Sequence, residues 1–250
     1  MADFNARYVA TNNRYGAPDY DETFIDGLRA ELVKNAVEAE AIVDAVLASL
    51  AIGAHRADVV AKLFEKAIKP VAIDQVAVGR TMDTFRAVLM IVWPFVGIPW
   101  CVPAALGIVD VLKRHNIELP DTTARPFINE SDRDIGHQLL KRTYQNVNNA
   151  EVQDMLRTFF PDFANLTWAV VFGYSLAGTT ATGVFTESQT QLILATATVA
   201  SGALRQARSH LRGAVGLGIS VQAAAAVSRS AVKFNAWNGV DITGVTELEL

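Results

Sequence analysis

Apolar residues recur at helical spacing along most of the chain. Over 24–51, Leu28, Leu32, Val43, Val46, Leu47 and Leu50 follow a three-and-four rhythm in an alanine-rich background. That pattern predicts one helix, ended by Gly53. A second is predicted over 57–67, stopped before Pro70. Asp74 is a suitable N-cap for a third, which runs through Val76, Met82, Phe85, Val88, Leu89 and Val92 into Trp93 and Pro94. The turn Gly97-Ile98-Pro99 leads to a fourth, from about 102 to 115.

Between 116 and 134 the rhythm stops, and Pro120, Asp121, Thr122, Thr123, Pro126, Asn129 and Ser131 crowd together as a linker. Ser131 and Asp132 then open a helix to about 145. Asn148 with Glu151 reads as a capping box for the next, which ends near Pro161. Residues 162–174 are apolar at helical spacing, and 178–183 is a loop. Thr186 with Gln189 forms another capping box and starts a helix over 187–200. The helix bearing His210 follows through Gly202. Ser220 caps the last long one, which carries Val221, Val227, Val232, Phe234 and Trp237. No two-residue alternation marks a strand, so the expectation is an all-α fold.

The order of elements repeats. Setting Ala67 opposite Ala214 places Leu63 opposite His210 and brings Asp74 near Ser220 as cap. This predicts two tandem helical modules packed together. The expected organisation is an N-terminal arm (1–23), a first module (24–115), a linker (116–133), a second module (134–237) and a C-terminal tail (238–250).

Within the second module, 203–217 has two faces. At 100° per residue, Ala203, Gln206, Ala207, Gly213, Ala214 and Leu217 share a side with His210, while Arg205, Arg208 and Arg212 gather opposite. The arginines mark the wet face, so His210 points inward among small residues.

Composition narrows the function classes. Apolar residues make up 51% of the 250 and charged ones 19%, ample for a dense core and for contacts between subunits. A net charge of −4 without a basic tract argues against nucleic acid as partner. The single cysteine, Cys101, allows neither an internal disulfide nor a thiolate zinc cage and fits a cytoplasmic protein. The first 23 residues lack the apolar run of a secretory signal. Residues 87–109 carry no charge and are long enough to span a bilayer, but Pro94, Pro99 and Pro103 would break such a span. The expected partners exclude membrane.

The segment from Gln189-Thr-Gln-Leu-Ile-Leu-Ala to Ser209-His-Leu-Arg-Gly-Ala-Val-Gly-Leu-Gly-Ile-Ser resembles the carboxymuconolactone decarboxylase and alkylhydroperoxidase-D-like families. Trp93-Pro-Phe-Val-Gly97-Ile-Pro99 followed by Ala104-Ala105 is similar to their aromatic-x-Gly-x-Pro segment. The resemblance covers about 36–115 and 150–237. Its peroxidase branch requires Cys-x-x-Cys-x-x-x-His, because a thiolate attacks the peroxide and a second thiol resolves the product. Counting back from His210, those positions hold Ala203 and Gln206, and the proton-relaying glutamate falls at Gln191. Thiol redox chemistry is therefore excluded.

What remains is an inward histidine that moves a proton near neutral pH, or one that only packs. With His210 as the catalytic candidate, Gln206, Gln191, Trp93, Trp168 and Tyr174 are the candidate substrate-binding residues, and Glu187 is an alternative acid. His55, His115 and His137 read as surface residues, and no metal-ligand spacing or cofactor fingerprint occurs. The resemblance implies a cofactor-independent enzyme that decarboxylates, isomerises or cyclises a small apolar carbonyl or lactone-like compound. The alternative is a non-catalytic small-molecule-binding or oligomeric scaffold on the same fold. Single modules of the family form trimers or hexamers, which implies a homodimer or homotrimer here.

Overall fold

In the computed structural model, residues 4–71, 74–120, 122–126, 128–145, 147, 150–242 and 244 are described. Among them the chain is all-α, with no strand. A short helix, α1 (Phe4–Tyr8), lies in the N-terminal arm. The stretch expected as one helix over 24–51 is three: α2 (Glu22–Asn35), α3 (Val37–Glu40) and α4 (Val43–Gly53). The Asn35 side chain folds back on the Glu31 carbonyl at 2.8 Å, and Ala36 leaves helical dihedrals. Side-chain competition for backbone acceptors thus ends α2, a local effect that apolar spacing does not register.

Helix α5 (Ala57–Ile68) matches its expectation, and α6 (Gln75–Val96) begins where Asp74 accepts the amides of Val76 and Ala77. Pro94 does not end α6. A proline in a helix removes one N–H and orphans the carbonyl four residues earlier. Here that carbonyl is Met90 O, and the Ser175 hydroxyl donates to it. The same repair occurs in α7 (Ile98–Arg114), where Pro103 orphans Pro99 O and the Asn12 amide donates to it at 3.0 Å. Helix α7 therefore starts four residues earlier than expected.

After the linker come α8 (Glu130–Tyr144), whose Asn129–Asp132 capping box is formed, α9 (Ala150–Phe159) and α10 (Pro161–Leu166). The proposed cap at Asn148 lies outside the described residues. Residues Thr167–Ala177 wind as a wide π-helix, followed by α11 (Gly178–Thr180). The Thr186–Gln189 capping box opens α12 (Glu187–Ala200). Gly202, at φ +71°, then breaks the chain before α13 (Leu204–Gly216). The two helices are therefore not continuous. Ser220 Oγ accepts the Ala223 amide to cap α14 (Val221–Trp237).

Two helices form the centre. In α12 every residue from Thr190 to Ala200 is buried, and in α4 every residue from Ala45 to Gly53. They cross closely enough for the Ser49 hydroxyl to donate to the Ile193 carbonyl at 2.5 Å. One apolar core thus runs through both halves of the sequence. Arg56 pins the chain ends to it. Its buried guanidinium pairs with Asp58, donates to Pro18 O and Asn238 Oδ1, and lies over the Trp237 ring.

Candidate functional site

The inward placement of His210 follows from the α13 pattern, and the imidazole is 2% exposed. Gln191 reaches it from α12. Its amide Nε2 lies 2.8 Å from His210 Nδ1 and 3.3 Å from the His210 carbonyl. A carbonyl can only accept, so the amide nitrogen faces both atoms and Nδ1 is an acceptor. The imidazole proton then sits on Nε2, which donates to the Tyr144 hydroxyl of α8 at 3.4 Å. Phe95 of α6 closes the remaining side, its ring edge-on to the imidazole with centroids 5.0 Å apart. Gly213 leaves room for the Gln191 amide, since a Cβ there would sit 3.2 Å from Nε2 and 3.0 Å from Thr143.

Burial sets the charge of this cluster. It lowers the His210 pKa to about 4 and pushes the Tyr144 phenol well above its ordinary value. Both groups are neutral near pH 7, and both ring nitrogens have partners. Among the described residues, the cavities detailed below have no His210 wall.

Of the expected companions, only Gln191 meets His210. Gln206 is exposed on the outer side of α13, a correction to its inward placement. It stands in the first turn of α13, where Leu204 and Arg205 are exposed as well, so its side chain is solvated. Glu187 pairs with Arg142 at the surface instead of serving as an acid beside His210. Trp93 is partly buried at the end of α6 against the core. Tyr174 lies under the Arg125 guanidinium, 4.2 Å from its ring centre. Trp168 stacks on His137 with centroids 4.7 Å apart, beneath Arg133. It lines a cleft of about 690 Å³ with Arg133, Arg157, Asp162 and Asn165. Its indole N–H is buried without a partner among the described residues. The aromatic candidates therefore do not converge on the histidine.

His55 and His115 are exposed, as expected, while His137 is half-buried against Trp168. The sequence reading missed Tyr144, Phe95 and Phe172, whose ring stands 6.0 Å from that of Tyr144. The α8 stripe of Leu140, Thr143 and Tyr144 was the available signal for the first. Among the described residues no group of three His, Cys, Asp or Glu side chains is placed to hold a metal, and no helix is long and apolar enough to cross a membrane. No family model, curated protein or solved structure matches the chain.

Proposed function

We propose that this chain is a non-catalytic, homo-oligomeric small-molecule-binding scaffold, built on a duplicated frame resembling carboxymuconolactone decarboxylases. In it His210 is a structural keystone. The carrying observation is the closed, neutral Gln191–His210–Tyr144 network. Burial makes His210 a weaker base, with a pKa of about 4, and Tyr144 a weaker acid, so proton transfer between them is disfavoured. Each shift moves its group away from the neutral range in which acid–base catalysts operate. Satisfied buried hydrogen bonds between three helices instead specify how those helices pack.

Assembly is supported by an exposed apolar strip on α9 and α10. Met155, Phe159, Phe160, Phe163 and Leu166 are all more than half exposed. Apolar strips of this kind on soluble proteins are usually covered by a partner. The strip fits an isologous contact with a second copy. Light scattering tests this: the wild type is expected to be a dimer or trimer, and the double variant Phe159→Asp, Phe163→Asp a folded monomer. A monomeric wild type at micromolar concentration would remove the assembly reading. The cytoplasm suits such a protein, since Cys101 is buried and its thiol is pushed up to about 12.

One observation favours a catalytic second reading. Tyr144 is only partly buried, so its ring gives the His210 cluster an outward edge. On that reading the chain is a cofactor-independent lyase, isomerase or cyclase acting on a small apolar carbonyl compound, with His210 as proton carrier. His210→Gln discriminates: loss of turnover in a folded variant supports catalysis, and loss of stability alone supports the keystone.

A further inference from the structure

We infer that the cleft lined by α8, α9, α10 and the π-helix binds a small zwitterion, a ligand that carries both an ammonium and a carboxylate, as a free amino acid or a dipeptide does. This site gives the small-molecule-binding reading, on which it rests, a place and a ligand class. The cleft has a volume of about 690 Å³, within the range of small-molecule sites. Glu130, Arg133 and Asp134 line it from α8, where three- and four-residue spacing sets them on one face. Arg157 of α9 and Asp162 of α10 complete its charged lining.

These charges do not answer one another. Three carboxylates and two guanidiniums share one cavity, yet among the described residues no ion pair joins any two of them. Glu130, Asp134 and Asp162 have no ion-pair partner there at all. Arg157 pairs with Asp154 of its own helix, but the two side chains are 66% and 69% exposed, where a pair contributes little. Arg133 gives its Nε to Asn165 Oδ1 at 2.6 Å and stands 5.5 Å from the Trp168 ring centre, so its Nη fork is available to a ligand. Charges elsewhere are answered: Lys66 by Asp26 and Glu22, Arg114 by Glu65 and Asp110. Opposite charges held around a cavity without closing on each other match a ligand of both signs. Its carboxylate meets the guanidinium forks, and its ammonium meets the carboxylates.

The floor is a second, independent observation. Trp168 lies on the π-helix, and its indole N–H is buried with no acceptor among the described residues. Buried donors are rarely left open, and a ligand oxygen would satisfy this one. The indole, Pro161 and Ala164 also offer apolar surface to the body of the ligand, for which a phenyl ring is suited. The frame is stiff, because Gly136 and Gly173 bring the backbones of α8 and the π-helix too close for any Cβ. The charges are thus set in place before a ligand arrives, which lowers the ordering that binding requires.

Isothermal titration calorimetry of the full chain at pH 7 tests the site, with L-phenylalanine and L-phenylalanyl-L-phenylalanine as probes. The expected result is saturable binding of at least one, weakened at least about tenfold when the probe lacks the ammonium (N-acetyl-L-phenylalanine) or the carboxylate (phenethylamine). The double variant Asp134→Asn, Asp162→Asn should lose at least about tenfold as well, with the melting temperature of wild type. Binding of the single residue assigns a free amino acid, and binding of the dipeptide alone assigns a peptide. No binding of either, equal binding of a probe lacking one charge, or equal binding by the double variant would overturn the site. Neither the α9–α10 strip nor the His210 network contributes a residue to the cleft. A failed titration therefore removes the zwitterion alone, while light scattering and His210→Gln decide the scaffold reading.

Discussion

Helices α5 and α13 each turn one face to the core and one outward, yet they solve their two faces differently. Inside, α5 presents Leu63 at 0% exposure, and α13 presents His210 at 2%. Outside, α5 carries Lys62, Glu65 and Lys66 in a mesh of ion pairs, while α13 carries Arg205, Arg208 and Arg212 in one row along a groove. The apolar core position needs only volume. The polar one needs a donor, an acceptor and a tautomer, which Gln191 and Tyr144 supply. Where a fold keeps a costly polar group in its core, the physical reason lies in specificity, because packing alone is cheaper.

The largest effect expected from disturbing this pair is at Leu63. Leu63→Ala empties a fully buried site and is expected to cost about 2–5 kcal/mol in urea unfolding. His210→Leu keeps the volume but strands the Gln191 amide in the core, at a cost of about 1–3 kcal/mol. Adding Gln191→Leu should return most of that loss. A loss that instead grows additively would mean that the two side chains are not one unit.

His210 also makes stability depend on pH. The unfolded chain takes up its proton near 6.5, the folded chain only near about 4. Its contribution is therefore complete above pH 6.5 and is lost as pH falls from 6.5 to 4, by up to about 3 kcal/mol. Denaturation curves of wild type and His210→Leu should diverge at neutral pH and converge on acidification.

A smaller effect is expected where the two halves touch. A Cβ on Gly53 would lie 2.5 Å from the Ala197 carbonyl and 2.9 Å from the Ala200 Cβ. Gly53→Ala should push α4 from α12 and cost about 1–3 kcal/mol, against the usual gain from replacing a helical glycine. Smallest are the helix caps. Asp74→Ala and Ser220→Ala should each cost about 1 kcal/mol in thermal unfolding.

How much was legible in the sequence differs between fold and site. Helix class, the Thr186 and Ser220 caps and the inward His210 follow from periodicity and side-chain chemistry, which act over one or two turns. The bounds of α4 and the passage of α6 through Pro94 do not, because Ser175 repairs Met90 O from 85 residues away. The site was legible to the same depth. Gln191 was named through the spacing of the resembling motif, whereas Tyr144 and Phe95 reach His210 only through the tertiary fold. Gln206 failed because spacing gives a side of the helix and not how far the core covers it, and the first turn of α13 is exposed through Leu204, Arg205 and Gln206.

The central claim is that His210 is a neutral, fully partnered member of the core. Nitrogen-15 NMR of the histidine imidazoles across pH tests it most directly. The account predicts an Nε2–H tautomer for His210 that persists from about pH 8 to about pH 5, with protonation only near the acid limit of folding. A His210 midpoint between about pH 6 and 7, or a proton on Nδ1, would contradict it and return the residue to acid–base chemistry.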